Sequence, residues 1–423
     1  MSDPEQPFTP SGPVGRSVRP LVEIDGAAVA PSVGGRSTDT SSRGRVTMHR
    51  SLSIGATLLL AACVAPTTRM ATIAPDVIAA EQLKQQQLVI QSELAEQRRV
   101  TELAYPMLRA AAPLCGQWVA TRHGVSVSNL HAWKREYHDA ARALGFSDTL
   151  SVVGVAAGSA AARAGIRVGD RLTEVAGQPA PMGRTAVQSY LNLVIPRPTR
   201  SAPGPLAATP MAFTVRRAVE SAGAPQELSL AVVPDTVCAY GAVAVKNDAL
   251  NAWADGSQVA VTTAMMRFAA TDDELAFILA HEIAHNAQRH IDAKNTNAGI
   301  GALFGLVVDV ALATQGINTY GDFTNSGAEI GASAYSQDFE READYVGMYV
   351  LARSNRPFDQ AANFWRRMAQ ESPGSITYAT THPTSAERFV RLEEIATEIR
   401  GKIAAGEALI PIPKAPKRGG DGG

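Results

Sequence analysis

The chain has no excess of charge of either sign. Its 423 residues carry 39 Lys and Arg against 40 Asp and Glu, a formal net charge of −1. Nucleic-acid binding calls for a basic surplus, so no nucleic-acid partner is expected. Cysteine is scarce: besides Cys63 there are only Cys115 and Cys238, neither with a histidine at ligand spacing. A cysteine-based metal site is therefore not expected. Uninterrupted apolar runs of bilayer length are also missing. Leu52 to Ala62 is too short, and the stretch 298–316 is broken by Asp309 and by glycines; it reads as a helix or lid beside a cleft, membrane contact being the lesser alternative. The remainder is ordinary globular composition, 45% apolar and long enough for two domains.

What is present is concentrated in His281-Glu282-Ile283-Ala284-His285. Histidines at i and i+4 sit about 40° apart around a helix, so both imidazoles can grip one ion. Glu282 is the residue that in such motifs takes a proton from the attacking water. Thr271-Asp272-Asp273-Glu274 reads as a capping box, and Leu275, Ile278 and Leu279 continue it at helical spacing. A hydrolytic zinc ion takes three protein ligands. The metzincin solution is excluded, because Gln288 and Ile291 stand where its glycine and third histidine belong. His290 falls well round the helix from the ligand face and is expected to be structural or surface-exposed. In the helical stretch from about 328 to 353, Glu340 and Asp344 share a face while Glu342 points roughly the other way. Glu340 is the expected third ligand, and Asp344 the acceptor that fixes a ligand histidine's tautomer. The bland alternative is a solvated helix with paired charges.

Four ordered motifs then carry a resemblance. They are Asn251-Ala252-Trp253-Ala254, the HEIAH helix with its trailing Arg289-His290, Glu340-Arg341-Glu342-Ala343-Asp344, and Thr381-His382-Pro383 with Arg388. Together, over roughly residues 235–399, they resemble the HtpX/BepA-type zinc metalloproteases. That gluzincin group also includes the CAAX prenyl-protein proteases and a mitochondrial inner-membrane quality-control protease. The resemblance implies an α+β chain whose catalytic domain is mainly helical with a small β-sheet. It implies one Zn2+ per chain on His281, His285 and Glu340, with Glu282 as general base. His382 occupies the place of a switch histidine, which inhibits or stabilises the oxyanion. Asn286 stands where many relatives have an apolar residue and is not expected to affect the metal. The alternating stretch 256–263 is expected to pair with unfolded or flexible protein substrates by β-augmentation. Quality control of misfolded or misassembled cell-envelope proteins is also implied by the resemblance.

The flanks give a location. Met48-His49-Arg50, the apolar run to Ala62 and Leu60-Ala61-Ala62-Cys63 describe a signal peptide ending in a lipobox. Cys63 would be lipidated, and Val64 in place of aspartate favours a bacterial outer-membrane lipoprotein facing the periplasm. This requires Met48 to be the true start, with residues 1–47 a disordered or non-native extension. If residues 1–47 are translated, a cytoplasmic peptidase is the alternative. Export would make Cys115 and Cys238 a natural disulfide, two free thiols being the alternative. Residues 63–112 read as a lipid-anchored helical linker. Between 113 and 235, Val152-Val153-Gly154-Val155, Gly158-Ser159-Ala160-Ala161, Arg163-Ala164-Gly165-Ile166 and Gly169-Asp170 resemble a mainly β PDZ domain, with Ala176-Gly177 at its turn. Leu144-Gly145-Phe146 is the candidate loop for a peptide C-terminal carboxylate. The catalytic domain is expected over 236–400, and a disordered tail over 401–423. The rival to a peptidase is a PDZ-bearing chaperone or assembly factor with its zinc site latched by His382.

Overall fold

The structure, a computed structural model, describes residues 68, 71–195, 208–219, 223–314, 319–333, 336–371 and 386–414. Cys63, His382, residues 1–47 and the end of the tail lie outside them.

The first element is helix α1, Pro75–Ala111, opened by a proline at its start and Asp76 in its first turn. Its first turns are exposed, while Ile90, Val100, Leu103, Ala104, Met107 and Leu108 are buried. The expected linker is thus half core. Strands β1 (Val119–Arg122) and β2 (Val125–Ser128) follow, then helix α2 (His138–Ala143), strand β3 (Ser151–Val155) and helix α3 (Ala160–Ala164). Next come β4 (Arg171–Val175), β5 (Gln178–Pro179), helix α4 (Ala186–Val194), β6 (Met211–Arg217) and β7 (Gln226–Val232). The sheet order is β2-β3-β4-β6-β7, antiparallel, with β5 folded back on β4. Leu150, Val152, Leu172, Val175, Tyr190, Phe213 and Val215 fill its core. The two-residue turn between β4 and β5 holds Ala176 at φ 56 and Gly177 at φ 73. Both are left-handed, as such hairpin turns demand, and alanine is poorly suited to the first.

Leu144-Gly145-Phe146 does not form a carboxylate loop. The three backbone N–H groups are spent closing α2: Leu144 donates to Ala140, Gly145 to Arg142 and Phe146 to Ala141, at 2.9–3.0 Å. Gly145 at φ 88 is the helix-ending residue, and nothing of the triplet's backbone is left to hold an anion.

Beyond the sheet, β8 (Asp235–Cys238) pairs with β1. Strands β9 (Gly241–Val245), β10 (Ala252–Ala254) and β11 (Gln258–Thr262) form a second sheet in the order β10-β11-β9. This corrects the expected substrate strand. Gln258–Thr262 is central, antiparallel to β10 and parallel to β9, so both its edges are already hydrogen-bonded. The outer edge of β9 is partly closed too, because Gln97 of α1 donates to the Ala242 carbonyl and accepts from Ala244 N–H, each at 3.0 Å. The edge left is β10, in the Asn-Ala-Trp-Ala motif.

The rest is helical: α5 (Thr263–Phe268), α6 (Asp272–Ala287), α7 (His290–Ala313), α8 (Asp322–Ser333), α9 (Ser336–Arg353), α10 (Ala361–Glu371) and α11 (Ala386–Ala405). The stretch expected to be helical over 328–353 is helical in its described residues, in the end of α8 and in α9, with residues 334–335 outside them. One core joins Leu275, Phe277, Leu279 and Ile283 of α6 to Met348 and Tyr349 of α9, Phe364 of α10, Leu392 of α11 and the buried half of α1. Helix α1 also bonds the β-rich module: Arg98 Nε donates to the Val153 carbonyl at 3.2 Å, and Tyr105 Oη lies 2.9 Å from Asp235 Oδ2. Cys115 and Cys238 are disulfide-bonded, tying the chain just after α1 to the end of β8.

Helices α7 and α8 pack as a hairpin on glycine. A Cβ at Gly301 would collide with the Gly327 carbonyl, and one at Gly305 with that of Phe323. Asp309, the interruption in the apolar run, accepts from the Thr319 and Thr324 hydroxyls at 2.5 and 2.6 Å. Leu303, Phe304, Val307 and Val310 remain exposed.

Candidate metal centre

Helix α6 starts where the capping box predicts: Thr271 Oγ1 accepts from Glu274 N–H at 3.2 Å, and Glu274 Oε2 from Ala270 N–H at 2.8 Å. From Leu275 to Ala287 every residue is buried, because α6 is covered on all sides. His281 and His285 are 1% and 3% exposed. Helix α9 crosses it closely at Gly347, where a Cβ would lie 3.2 Å from the backbone of Ala280 and His281. That approach brings Glu340, 6% exposed, to both histidines.

The three side chains bring their donor atoms within 4.8 Å of one another. His281 Nε2 and His285 Nε2 are 3.1 Å apart, and Glu340 Oε2 and Oε1 stand 3.3 Å from the first and second. Four ligands at about 2.0–2.1 Å around a tetrahedral zinc ion are separated by about 3.3–3.4 Å. The donor set, two imidazoles and one carboxylate, suits the same ion and supplies three of its four ligands from the described residues. His281, His285 and Glu340 also form the metal-competent group of side chains found among the described residues.

Each ligand histidine is held from behind. His281 Nδ1 is 2.9 Å from Asp344 Oδ1, the partner expected from the i,i+4 spacing of Glu340 and Asp344. Asp344 in turn receives Arg388 Nε and Nη2, each at 2.7 Å. The Arg388 guanidinium lies 3.6 Å over the Trp365 ring. His285 is held by His290, against expectation: the two Nδ1 atoms are 3.0 Å apart, and His290 Nε2 is 2.9 Å from Glu342 Oε2. His290 is 1% exposed. A helical wheel misplaces it because the helix does not continue. Gln288 caps α6, Arg289 turns left-handed at φ 58, and His290 starts α7. Glu342 does leave the face of Glu340, and that direction carries it to His290. The sequence signal available for His290 was the trailing Arg-His of the resemblance; Trp365 had none.

Asn286 also has a use. It accepts from Gly256 N–H at 2.8 Å and donates to the Gln258 carbonyl at 3.1 Å, joining α6 to the turn between β10 and β11.

Electrostatics separate the two histidines. Burial works to lower His281, but hydrogen bonds and charges from Asp344 and Glu340 outweigh it and raise the ring to about 9. Burial pushes His285 down to about 4. Asp344 is driven up by burial and down, with the greater total, by Arg388 and His281. The hydrogen bond from His290 holds Glu342 below the usual glutamate range. In its metal-free state the pocket therefore keeps a proton on His281, which an incoming cation must displace.

Comparison with known proteins agrees with this geometry. Residues 213–396 match Peptidase family M48, and residues 151–195 match a PDZ domain. The chain is similar to the mitochondrial metalloendopeptidase OMA1 of Saccharomyces cerevisiae, 28% identical over 33% of this chain and 41% of that one. It is similar to the beta-barrel assembly-enhancing protease of Yersinia pestis, 32% identical over 30% of this chain and 28% of the relative. The protein of that name from Escherichia coli K12 is 27% identical over 40% of this chain and 37% of its own length. The matched stretches thus span less than half of each relative. They make residues 213–396 similar to family M48 and residues 151–195 to a PDZ domain, with the candidate metal site of His281, His285 and Glu340 inside the first match.

Proposed function

We propose that the chain is a zinc-dependent endopeptidase that hydrolyses misfolded or misassembled proteins of the bacterial cell envelope. The observation that carries this reading is the buried His281–His285–Glu340 group with Glu282 on the same helix beside it. When bound there, zinc supplies a Lewis acid that polarises a peptide carbonyl and acidifies water. Glu282, 2% exposed, takes the proton of the attacking water and returns it to the leaving amine. Asp344 keeps the His281 ring in place from its Nδ1 side.

Support for unfolded or flexible substrates comes from strand β10. It is one edge of the small sheet, and α6 is tied to the adjoining turn through Asn286. An extended peptide added there would run beside the helix that carries the metal ligands. The PDZ match keeps capture of peptide C-termini within the proposal, with β2 and β7 as the sheet's edge strands among the described residues. The envelope setting rests on the lipobox at Cys63 and on the name of the assembly-enhancing relatives, which concerns those proteins. His382 is proposed as a switch on the site.

The deciding experiment is cleavage of unfolded casein by the zinc-loaded full chain, against Glu282→Gln and His382→Ala, with bound zinc measured in each. Cleavage by wild type and none by an equally zinc-loaded Glu282→Gln supports the reading. A faster His382→Ala adds the switch. Zinc-loaded protein that leaves casein intact in both wild type and His382→Ala sinks the peptidase assignment.

A further inference from the structure

We infer that His290 and Glu342 are a positioning pair that fixes the tautomer and aim of His285, so that its Nε2 lone pair faces the metal. The inference rests on the metallopeptidase reading and concerns residues outside the ligand set.

The hydrogen positions follow from the acceptors. Glu342 Oε2, 2.9 Å from His290 Nε2, can only accept, so the hydrogen of a neutral His290 ring sits on Nε2. His290 Nδ1 then holds a lone pair. His285 Nδ1 lies 3.0 Å from it and must be the donor. A neutral His285 with its hydrogen on Nδ1 has its lone pair on Nε2, the atom 3.3 Å from Glu340 Oε1 and 3.1 Å from His281 Nε2. No other arrangement of neutral rings satisfies both short contacts.

Packing restricts the same ring. His290 stacks on Phe339, centroids 4.7 Å apart and planes 24° apart. Phe339 and Glu342 flank Glu340 on α9, so one helix supplies a metal ligand and also the support of another ligand's partner. The left-handed turn at Arg289 is what returns His290 to this place. The two ligand histidines are therefore supported unequally. His281 meets a buried carboxylate directly, whereas His285 meets one through an intervening imidazole, and that second carboxylate is half-exposed.

The test uses the full chain and reads Zn2+ affinity by competition with a chromophoric chelator, plus the visible absorption of bound Co2+. His290→Phe keeps an aromatic ring against Phe339 and removes the acceptor. It should weaken Zn2+ binding by about 10–100-fold and alter the Co2+ spectrum. His290→Gln restores an acceptor and should recover part of the loss, which a merely structural role would not predict. Glu342→Ala should weaken binding in the same direction, and its half-exposed site leaves the fold intact. Should His290→Phe not fold, Glu342→Ala decides. Unchanged Zn2+ affinity and Co2+ spectrum in the folded variants overturn the inference while leaving the peptidase reading standing. Wild type that binds no Zn2+ overturns both.

Discussion

Replacing Asp344 by asparagine is nearly isosteric, yet it removes the negative charge shared by His281 and Arg388. Asp344 is 4% exposed and Arg388 6%. Wild-type Arg388 spends Nε and Nη2 on the carboxylate, each at 2.7 Å. Asparagine accepts at one atom only, so a buried guanidinium loses its counter-charge. Breaking a buried pair from one side costs about 3–5 kcal/mol. At about 2–4 °C per kcal/mol, the metal-free melting transition should fall by about 6–20 °C. Separately, the outer N–H of His281 loses a charged acceptor, which should weaken Zn2+ binding by about 10–100-fold. A second substitution separates the two effects. Arg388→Met in the Asp344→Asn background removes the stranded charge and should recover most of the melting temperature. Zinc affinity should stay low, because His281 still lacks its carboxylate. Near-ultraviolet circular dichroism of the EDTA-treated protein reads the first effect, and chelator competition the second. An Asp344→Asn protein melting within about 2 °C of wild type would refute the energetic reasoning. A double variant with wild-type zinc affinity would refute the assignment of Asp344 to His281.

Zinc binding should depend on pH through His281. With the metal-free ring at about 9, zinc must displace a proton at neutral pH. Affinity should rise about tenfold per pH unit from neutral towards that value and then flatten; a flat profile by competition titration counts against it. The metal-free fold has the opposite sign: the His281–Asp344 attraction is complete below the ordinary histidine value of about 6.5 and fades as pH rises through about 9. Removing the Cys115–Cys238 bond, which spans 123 residues, should lower stability by about 2–5 kcal/mol in urea unfolding, and an unchanged midpoint would contradict this. Ala176→Asn should stabilise the β4–β5 turn by about 1 kcal/mol, since alanine is strained at φ 56; a lower melting temperature would argue otherwise. Gly305→Leu should drive α7 from α8 and speed amide hydrogen exchange across residues 297–331, while unchanged exchange would show that the hairpin tolerates a side chain there.

Wherever neighbours along the chain are sufficient to define an arrangement, the amino-acid pattern was enough. The box at Thr271, the i,i+4 histidines, and the shared face of Glu340 and Asp344 are consequences of helical geometry within a few residues. The likeness of the middle segment to a PDZ domain is similarly local, a succession of short strands and turns. Readings that went astray each depended on a distant partner or a broken element. Helical periodicity misplaces His290 because the helix ends at Ala287, and a single left-handed residue reverses the chain's direction. Gln258–Thr262 alternates as any half-buried strand does, and only its pairing with β9 and β10 shows that it is no edge. The Leu-Gly-Phe triplet has the composition of a binding loop, but its N–H groups were already committed to α2. In α1, the polar and apolar residues mix too evenly to reveal which half is buried.

The metal centre itself divides along that line. Residue types and short spacings determined which groups were able to bind zinc, because ligand chemistry and helix periodicity are properties of the chain alone. Tertiary packing decided that Glu340, 55 residues beyond His285 in the numbering, would complete their group, and that Arg388, Trp365, His290 and Glu342 would hold it. Those contacts depend on how closely α9 and α11 approach α6, as at Gly347. A spacing in sequence contains no information about that distance until the core is packed.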